Sequence, residues 1–190
     1  MPSGLLWSTT NIGAENPEDY GNYYAWGETE PKETYDWSTY RYCNGSNSTL
    51  TKYCNDSEYG DNGFTDNLTT LESTDDAATA NWGAGWRMPT QEELQELDDN
   101  CIREWTEQNG VSGYLFTGPN GNSIFLPAAG YRYDSELYNA GSYGYYWSSS
   151  LYSVYTDRAW DLYFYSGNYI LSYYYRNYGF TVRAVCQSQN

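Results

Sequence analysis

The feature that most constrains the fold of this chain is a tyrosine-rich stretch between Tyr131 and Tyr178, which holds 15 of its 24 tyrosines. Tyrosine has good β-propensity, and turn residues separate its short runs, so the stretch predicts strands and turns. A buried core would favour Leu, Ile and Val. The mixture of Tyr with Ser, Asn, Asp and Gly is instead typical of a recognition surface, because tyrosine supplies rigid contact area with a hydrogen-bonding tip.

Length and charge limit the classes of protein that fit. A chain of 190 residues has the length of one domain, so we expect a single domain over residues 1–190. Nine Lys and Arg against 25 Asp and Glu give a net charge of −16, which opposes binding to nucleic acid or to an anionic membrane. The apolar runs are far shorter than the roughly 18 residues of a membrane span. No nucleic-acid partner and no membrane insertion are expected.

The N-terminus carries neither a basic region nor an apolar region of the signal-peptide type. We therefore expect a soluble chain. It is either a full-length phage or cytosolic product, or a mature domain from which an export signal has been removed. The corresponding locations are a cell surface, the extracellular space or a phage particle.

The chain contains no histidine, which excludes Ser-His-Asp and Cys-His catalysis and removes the commonest metal ligand. We expect no catalytic residue and no cofactor. Asp56, Glu58, Asp61 and Asp66 form an acidic loop, but their spacing does not fit an EF-hand. The expected interpretation is a solvated acidic loop without a metal.

Turn residues and caps divide the first part of the chain. Residues 4–12 predict an opening strand, and residues 34–67 are polar and irregular, as in a surface insertion. Ser73 or Thr74 is a candidate cap for a helix over residues 75–81. Thr90 to Glu93 forms a capping box that predicts a second helix through about Cys101.

The second half predicts strands. Residues 114–117 and 123–126 predict a β-hairpin with a Gly-containing loop. Four more strands are expected near residues 145–150, 158–165, 169–174 and 180–186. Two helices, a strand-rich C-terminal half and long irregular loops indicate an α+β fold.

Alternation gives the faces of two strands. In residues 158–165, one face carries Trp160, Leu162 and Phe164, which we assign to the core. The other face carries Ala159, Asp161, Tyr163 and Tyr165. In residues 180–186 the apolar face carries Phe180, Val182, Ala184 and Cys186, so that Cys186 is expected to point inward.

The four cysteines are disulfide candidates. Cys101 falls on the apolar face of the second helix and Cys186 on that of the last strand, so a bridge between them is reasonable. Cys43 and Cys54 would staple the polar insertion. Four reduced thiols are the alternative, and a zinc site is disfavoured because no pair has the two-residue spacing of such sites.

Seven motifs resemble those of the FISUMP-type domain of human gut bacterial surface proteins. They are GLLW at 4–7, PEDYG at 17–21, AWGET at 25–29, WRMPT at 86–90, LPAAGYR at 126–132, YWSSS at 146–150 and VRAV at 182–185. The resemblance covers nearly the whole chain and implies a C-type lectin-like fold, related to the formylglycine-generating enzyme scaffold. Those relatives are oxidases that depend on cysteines, whereas all four cysteines here have structural assignments. The Glu-Pro-Asn, Gln-Pro-Asp and Trp-Asn-Asp triplets of sugar-binding lectins are absent.

The C-terminal third resembles the variable region of a diversity-generating retroelement protein. In such systems a reverse transcriptase copies a template with errors at adenines, so that Asn codons become codons for Tyr, Asp, Ser and others. The non-core positions of residues 131–178 are mostly these residues. With the alternation, the resemblance assigns ligand-facing roles to Tyr133, Tyr143, Tyr145, Tyr152, Tyr155, Asp157, Asp161, Tyr163, Tyr165, Tyr173, Tyr174, Tyr175 and Asn177. It assigns scaffold roles to Trp147, Trp160, Leu162, Phe164, Phe180 and Val182.

Two hypotheses follow. The first is a non-catalytic binding protein that presents a hypervariable, tyrosine-rich surface to a protein or glycan ligand on a cell surface. The alternative is a bacterial surface domain of the same fold without diversification, with a glycan-binding or structural role. Tyrosines that simply pack as strand residues would favour neither, but Tyr173, Tyr174 and Tyr175 cannot all point inward along one strand.

Overall fold

The computed structural model describes Met1 and residues 3–188, which form mostly β-structure with two α-helices. This agrees with the α+β class. Two short 3₁₀ turns cover Asp61–Gly63 and Ser73–Asp75. The remaining elements, in chain order, are β1 Leu5–Asn11, α1 Ala77–Trp82, α2 Gln91–Asn100, β2 Ile102–Gln108, β3 Val111–Thr117, β4 Ser123–Pro127, β5 Tyr131–Tyr133, β6 Glu136–Tyr138, β7 Tyr143–Leu151, β8 Arg158–Tyr165, β9 Asn168–Tyr175 and β10 Arg183–Gln187.

The second predicted helix is confirmed together with its cap. The Thr90 side chain accepts a hydrogen bond from the Glu93 amide at 3.3 Å, and the Glu93 carboxylate accepts one from the Thr90 amide at 2.9 Å. The same carboxylate also accepts hydrogen bonds from both terminal nitrogens of Arg87, one on each oxygen. Leu94 and Leu97 are buried beneath the helix. The reciprocal cap therefore fixes the helix start, and its apolar stripe fixes its orientation.

The first helix begins later than predicted. Asp76, rather than Ser73 or Thr74, caps α1, because its carboxylate accepts a hydrogen bond from the Thr79 amide at 2.9 Å. The other carboxylate oxygen accepts one from the Met88 amide at 2.8 Å. Burial raises the pKa of Asp76, and the backbone donors oppose that rise.

The strands of the described residues form four antiparallel sheets of two or three strands: β1-β10, β2-β3-β4, β5-β6 and β7-β8-β9. The predicted hairpin is confirmed as β3 and β4. Strand β2, which pairs with β3 along its whole length, was not predicted. It carries Arg103, Glu104 and Glu107 on a largely exposed edge, so its sequence has no apolar alternation.

The β7-β8-β9 sheet lies between two hydrophobic cores. One face packs Tyr146, Leu162 and Phe164 into a core shared with Leu94 and Leu97 of α2. The opposite face packs Trp147, Leu151 and Ala159 into the larger core, here named the first core, which also contains Phe180 and Trp26. Each core covers a different part of the sheet. Consequently each face is buried at one end and open to solvent at the other.

Residues 34–67 are irregular, as predicted, but they are not a peripheral insertion. The segment has large side chains in the first core, and its backbone carbonyls bind a buried guanidinium, that of Arg176. The Arg176 nitrogens donate to the carbonyls of Lys52 and Tyr53 at 3.0 Å each, and to the hydroxyl of Tyr40 at 2.9 Å. The buried members of the segment are Tyr35, Tyr40, Tyr42, Leu50, Tyr53 and Cys54.

The disulfide predictions are wrong, because all four cysteines are free thiols. Cys43 donates its thiol to the carbonyl of Trp37 at 3.1 Å, and Cys54 donates its own to the carbonyl of Asp56 at 3.1 Å. Cys101 ends α2 and lines a cavity with Leu6, whereas Cys186 lines a different cavity with Asp76. Cys186 is half-buried rather than fully inward. Each thiol therefore has its own surroundings.

Candidate ligand-binding surface

Nine tyrosines form one continuous aromatic surface, here named the Tyr131 cluster. Its members are Tyr131, Tyr133, Tyr138, Tyr143, Tyr145, Tyr163, Tyr165, Tyr174 and Tyr178. None of them is fully buried. No hydroxyl of the nine bonds to the backbone or to a side chain outside the cluster, within the described part of the chain. The rings are held in place while their polar tips stay free.

Strand pairing explains how four of these rings meet. Tyr143 lies opposite Tyr165, and Tyr145 lies opposite Tyr163, so four rings share the open end of one sheet face. Ring centroids are 5.9 Å apart for Tyr143 and Tyr163 and 5.0 Å apart for Tyr145 and Tyr163. Tyr174 of β9 lies opposite Ala159 on the same face, nearer the buried end, and its ring is 6.3 Å from that of Tyr145.

The β5-β6 hairpin and the turn after β9 complete the cluster. Tyr131 stacks on Tyr138 at 5.4 Å and meets Tyr145 edge-on at 5.1 Å. Tyr178 stacks on Tyr133 at 4.6 Å and lies 4.7 Å from Tyr174. These contacts connect three separate parts of the chain into one surface.

The buried floor of the cluster is Phe180. Its ring stacks on Trp147 at 4.1 Å and lies 4.9 Å from Tyr145 and 5.7 Å from Tyr174. Burial, together with neighbouring tyrosines, raises the pKa of Tyr145. Burial likewise raises the pKa of Tyr174. Both hydroxyls therefore remain protonated donors at neutral pH.

The opposite face of the sheet carries a second aromatic group at its own open end, here named the Tyr152 cluster. It consists of Tyr152, Tyr155, Arg158, Trp160, Tyr173 and Tyr175. Tyr152 and Tyr173 stack at 3.8 Å. The Arg158 guanidinium carbon lies 4.6 Å from the Tyr175 ring and 5.1 Å from the Tyr155 ring, and Arg158 donates to the Tyr175 hydroxyl at 3.1 Å.

The predicted ligand-facing tyrosines fall into two groups by sheet face, and the groups adjoin where the Tyr175 ring lies 6.4 Å from Tyr178. Five belong to the Tyr131 cluster on one face, together with Tyr133 of the hairpin, and four belong to the Tyr152 cluster on the other. Tyr133 and Tyr155 are exposed, and the rest are half-buried. Residues 173–175 show the division, because Tyr174 points to one face while Tyr173 and Tyr175 point to the other, as alternation requires.

Three predicted ligand-facing residues are instead buried. Asp157 is 3% exposed, and its carboxylate accepts a hydrogen bond from Asn47 at 2.9 Å. Asn177 is 1% exposed, because it follows Arg176, which is locked into the first core. Asp161 is fully buried. It shares a face with Tyr163, as predicted, but the first core reaches further along that face than alternation reveals.

The scaffold assignment of Trp160 is also wrong in part. Its ring is half-buried and packs edge-on against Tyr152 at 5.0 Å, within the Tyr152 cluster. Trp147, Leu162, Phe164, Phe180 and Val182 are fully buried, as the scaffold assignment predicts.

Three tyrosines of the Tyr131 cluster were not predicted to face a ligand: Tyr131, Tyr138 and Tyr178. Their flanking sequence has too short an alternation to give a direction, and only the tyrosine composition signals them.

The acidic loop is built around one carboxylate. Asp66 accepts hydrogen bonds from the amides of Tyr53 at 2.8 Å, Cys54 at 3.0 Å and Leu68 at 3.1 Å. Within Met1 and residues 3–188, no group of three or more His, Cys, Asp or Glu side chains is arranged to hold a metal ion. Over the same residues, no helix is both long and apolar enough to cross a membrane.

These observations define an α+β domain with an aromatic surface at each open end of its three-stranded β7-β8-β9 sheet. From within α2 to β10, over residues 95–185, the chain matches a family described as a domain of unknown function, DUF8237. That range contains both aromatic clusters. No curated protein and no solved structure matches the chain.

Proposed function

We propose that this chain is a non-catalytic binding protein that presents the Tyr131 cluster to a ligand on a cell surface. The observation that carries the proposal is the cluster itself: nine adjoining tyrosines on and beside one face of the β7-β8-β9 sheet, whose hydroxyls bond to no described group outside the cluster. Rings held by a packed scaffold lose little freedom on binding. Rigid tyrosines with free hydroxyls are the anchors that antibody paratopes use.

The available area is adequate for a protein or glycan ligand. A stable interface buries about 800 Å² on each partner, and a tyrosine side chain supplies on the order of 150 Å² when it is covered completely. The cluster rings are already half-covered, so nine of them supply roughly the required area. The Tyr152 cluster is smaller, and Arg158 already occupies the faces of its rings.

On the basis of the motif resemblance, we also propose that the scaffold is C-type lectin-like and that its surface is diversified by a retroelement. The two helices and the strand-rich second half are compatible with that fold. Half-buried positions such as Tyr143, Tyr163 and Tyr165 mainly contact one another, so their replacement leaves the core untouched. Such positions suit variation.

The binding proposal is tested with a triple variant, Tyr143→Ser, Tyr163→Ser and Tyr165→Ser. The probes are a printed array of bacterial and mucin-type glycans and a phage-displayed random peptide library. We expect wild-type protein to give specific binders that the triple variant loses at least tenfold. Tyr59→Ser, which removes a half-buried tyrosine from the acidic loop, is the matched control and keeps them. Equal binding by the triple variant refutes the proposal.

Diversification has a separate, genomic test. It predicts a near-repeat of the 3′ end of the gene, adenine-rich where this copy encodes Tyr, Asp and Ser, with a reverse transcriptase gene nearby. A complete source genome without such a repeat leaves a binding domain that is not diversified. That outcome favours the alternative of a bacterial surface domain with a glycan-binding or structural role.

A further inference from the structure

Asp161 is the one fully buried carboxyl group in the described chain for which neither oxygen accepts a hydrogen bond. It lies in the middle of β8, between Trp147 of β7 and Ser172 of β9. Buried polar groups in native proteins are nearly always paired, so an orphaned carboxyl group requires an explanation.

The side chain of Asp161 faces the Tyr131 cluster. It has the same parity along β8 as Tyr163, and its strand neighbours are Trp147 and Ser172. The next residues on the same face are Tyr145, two positions before Trp147 on β7, and Tyr174, two positions after Ser172 on β9. After burial and the neighbouring hydroxyls, the charge of Asp161 is among the influences that raise the pKa of Tyr145, and it also raises that of Tyr174. Because Asp161 is fully buried on the sheet face that carries these two rings, its carboxyl group lies at the base of the candidate surface.

No cation of the described residues pairs with Asp161. Arg158 points to the opposite face, where it contacts the Tyr152 cluster. Arg176 and Arg183 are buried, and their hydrogen bonds go to carbonyl, amide or hydroxyl oxygens. Arg132 lies over the Tyr23 ring, with its guanidinium carbon at 5.4 Å. The Tyr131 cluster thus has an unsatisfied acceptor at its base and no positive charge to meet it.

We infer that the ligand of the Tyr131 cluster is a protein that inserts a lysine or arginine side chain between Tyr145 and Tyr174, where it pairs with Asp161. This inference rests on the proposed function and specifies its ligand. Aromatic faces attract such cations, and the attraction is strongest where water is excluded. The net charge of −16 attracts a basic partner from a distance. A long aliphatic side chain with a cationic end fits a path that is apolar along its walls and acidic at its base.

The entering side chain must displace one or both rings, because Asp161 is covered in the unbound protein. Side-chain rotamer changes of this kind are common at interfaces. The titratable groups that face Asp161 are Tyr145, Tyr163 and Tyr174. All three have a raised pKa, for which burial is the first cause, so they stay neutral while Asp161 loses its proton. Binding therefore releases a proton, and it strengthens as pH rises toward the raised pKa of Asp161.

The test uses four phage-displayed libraries of twelve-residue peptides that differ only in a fixed central residue: Lys, Arg, Gln or Glu. We expect at least tenfold more wild-type binders from the Lys and Arg libraries than from the Gln library. Synthetic copies of the best peptides lose at least tenfold in affinity for Asp161→Asn. Asp134→Asn removes the same charge from an exposed position on the β5-β6 hairpin and is the matched control, with less than a twofold change expected.

The outcomes separate this inference from the function on which it rests. Binders that depend on Tyr163 but bind Asp161→Asn and wild type equally overturn the inference and leave the binding function intact. If the Gln library gives as many wild-type binders as the Lys and Arg libraries, the inference is likewise overturned and the binding function stands. Libraries that give no binder dependent on Tyr163 overturn both. Circular dichroism and the thermal midpoint of Asp161→Asn verify that a loss of affinity does not come from unfolding, and Asp161→Ser serves as a second neutral variant.

Discussion

Replacing Asp161 with Asn should change how the stability of the unbound protein depends on pH. Asp161 is fully buried without a partner, and desolvation raises its pKa well above the usual range for an aspartate. In the unfolded chain the carboxyl group has its ordinary pKa of about 3.9. Between these two values the unfolded chain has lost its proton while the folded protein still holds it, so the unfolded state binds fewer protons. The free energy of unfolding of the wild type therefore falls as pH rises through that window.

The slope of this fall is fixed by linkage. One proton difference corresponds to about 1.4 kcal/mol per pH unit, so the wild type loses stability at close to this slope wherever the unfolded chain is ionised and Asp161 is still protonated in the folded state. Asn does not titrate, and Asp161→Asn lacks this loss. The stability of Asp161→Asn relative to the wild type should therefore rise with pH at this slope across that window. Any cost of placing an amide in the site is constant with pH and does not affect the slope.

Urea unfolding followed by tryptophan fluorescence measures the difference at pH 5, 6, 7 and 8. Contributions of other titrating groups, including buried Asp76, are common to both proteins and cancel. The control is Asp134→Asn at the exposed hairpin position, for which the difference from wild type should be flat. Parallel pH profiles for Asp161→Asn and wild type refute the reasoning, because they mean that water or a donor reaches the Asp161 carboxylate.

Other substitutions test the scaffold by urea unfolding at pH 7. Arg176→Met should cost about 3–5 kcal/mol, since it leaves several buried acceptors without a donor, whereas Arg158→Met at a half-exposed site should cost about 1 kcal/mol or less; equal costs would contradict this. Thr90→Ala removes the cap of α2 and should cost about 1 kcal/mol, and no loss would show that the cap is redundant. Gly144→Ala should cost about 1–3 kcal/mol, because the new Cβ would overlap the buried Phe164 ring, and a neutral result would show that the ring moves aside.

Local rules predicted the elements whose signals lie within a few residues. The capping box at Thr90 gave the start of α2, and alternation in residues 158–165 gave the two faces of β8. Both depend on neighbours along one segment. Strand β2 gave no such signal, since most of it is exposed and charged, and it was found only through its pairing with β3.

Alternation gives the face of a residue but not the extent of the core that covers that face. Asp161 and Tyr163 point the same way, yet Asp161 is buried and Tyr163 is half-exposed. The difference arises because Phe180 and Trp26, from distant positions in the chain, belong to a core that covers only one end of this face. The same long-range packing explains the misjudged exposure of Trp160. Contacts with residues so far away in the sequence cannot be predicted from the alternation pattern of eight consecutive residues.

Buried ionisable groups are hydrogen-bonded differently in the scaffold and under the candidate surface. Arg176 and Arg183 are fully buried, and each has its nitrogens bound to several carbonyl, amide or hydroxyl oxygens. Burial lowers the pKa of Arg183 to about 10, so it remains charged at neutral pH, and its bonds hold β1, β4 and β10 together. Asp161 has the same degree of burial and no bond at all. Native proteins keep such unsatisfied groups mainly where a function requires them, and this one lies at the base of the Tyr131 cluster. The contrast argues that the carboxyl group of Asp161 belongs to the binding surface rather than to the scaffold.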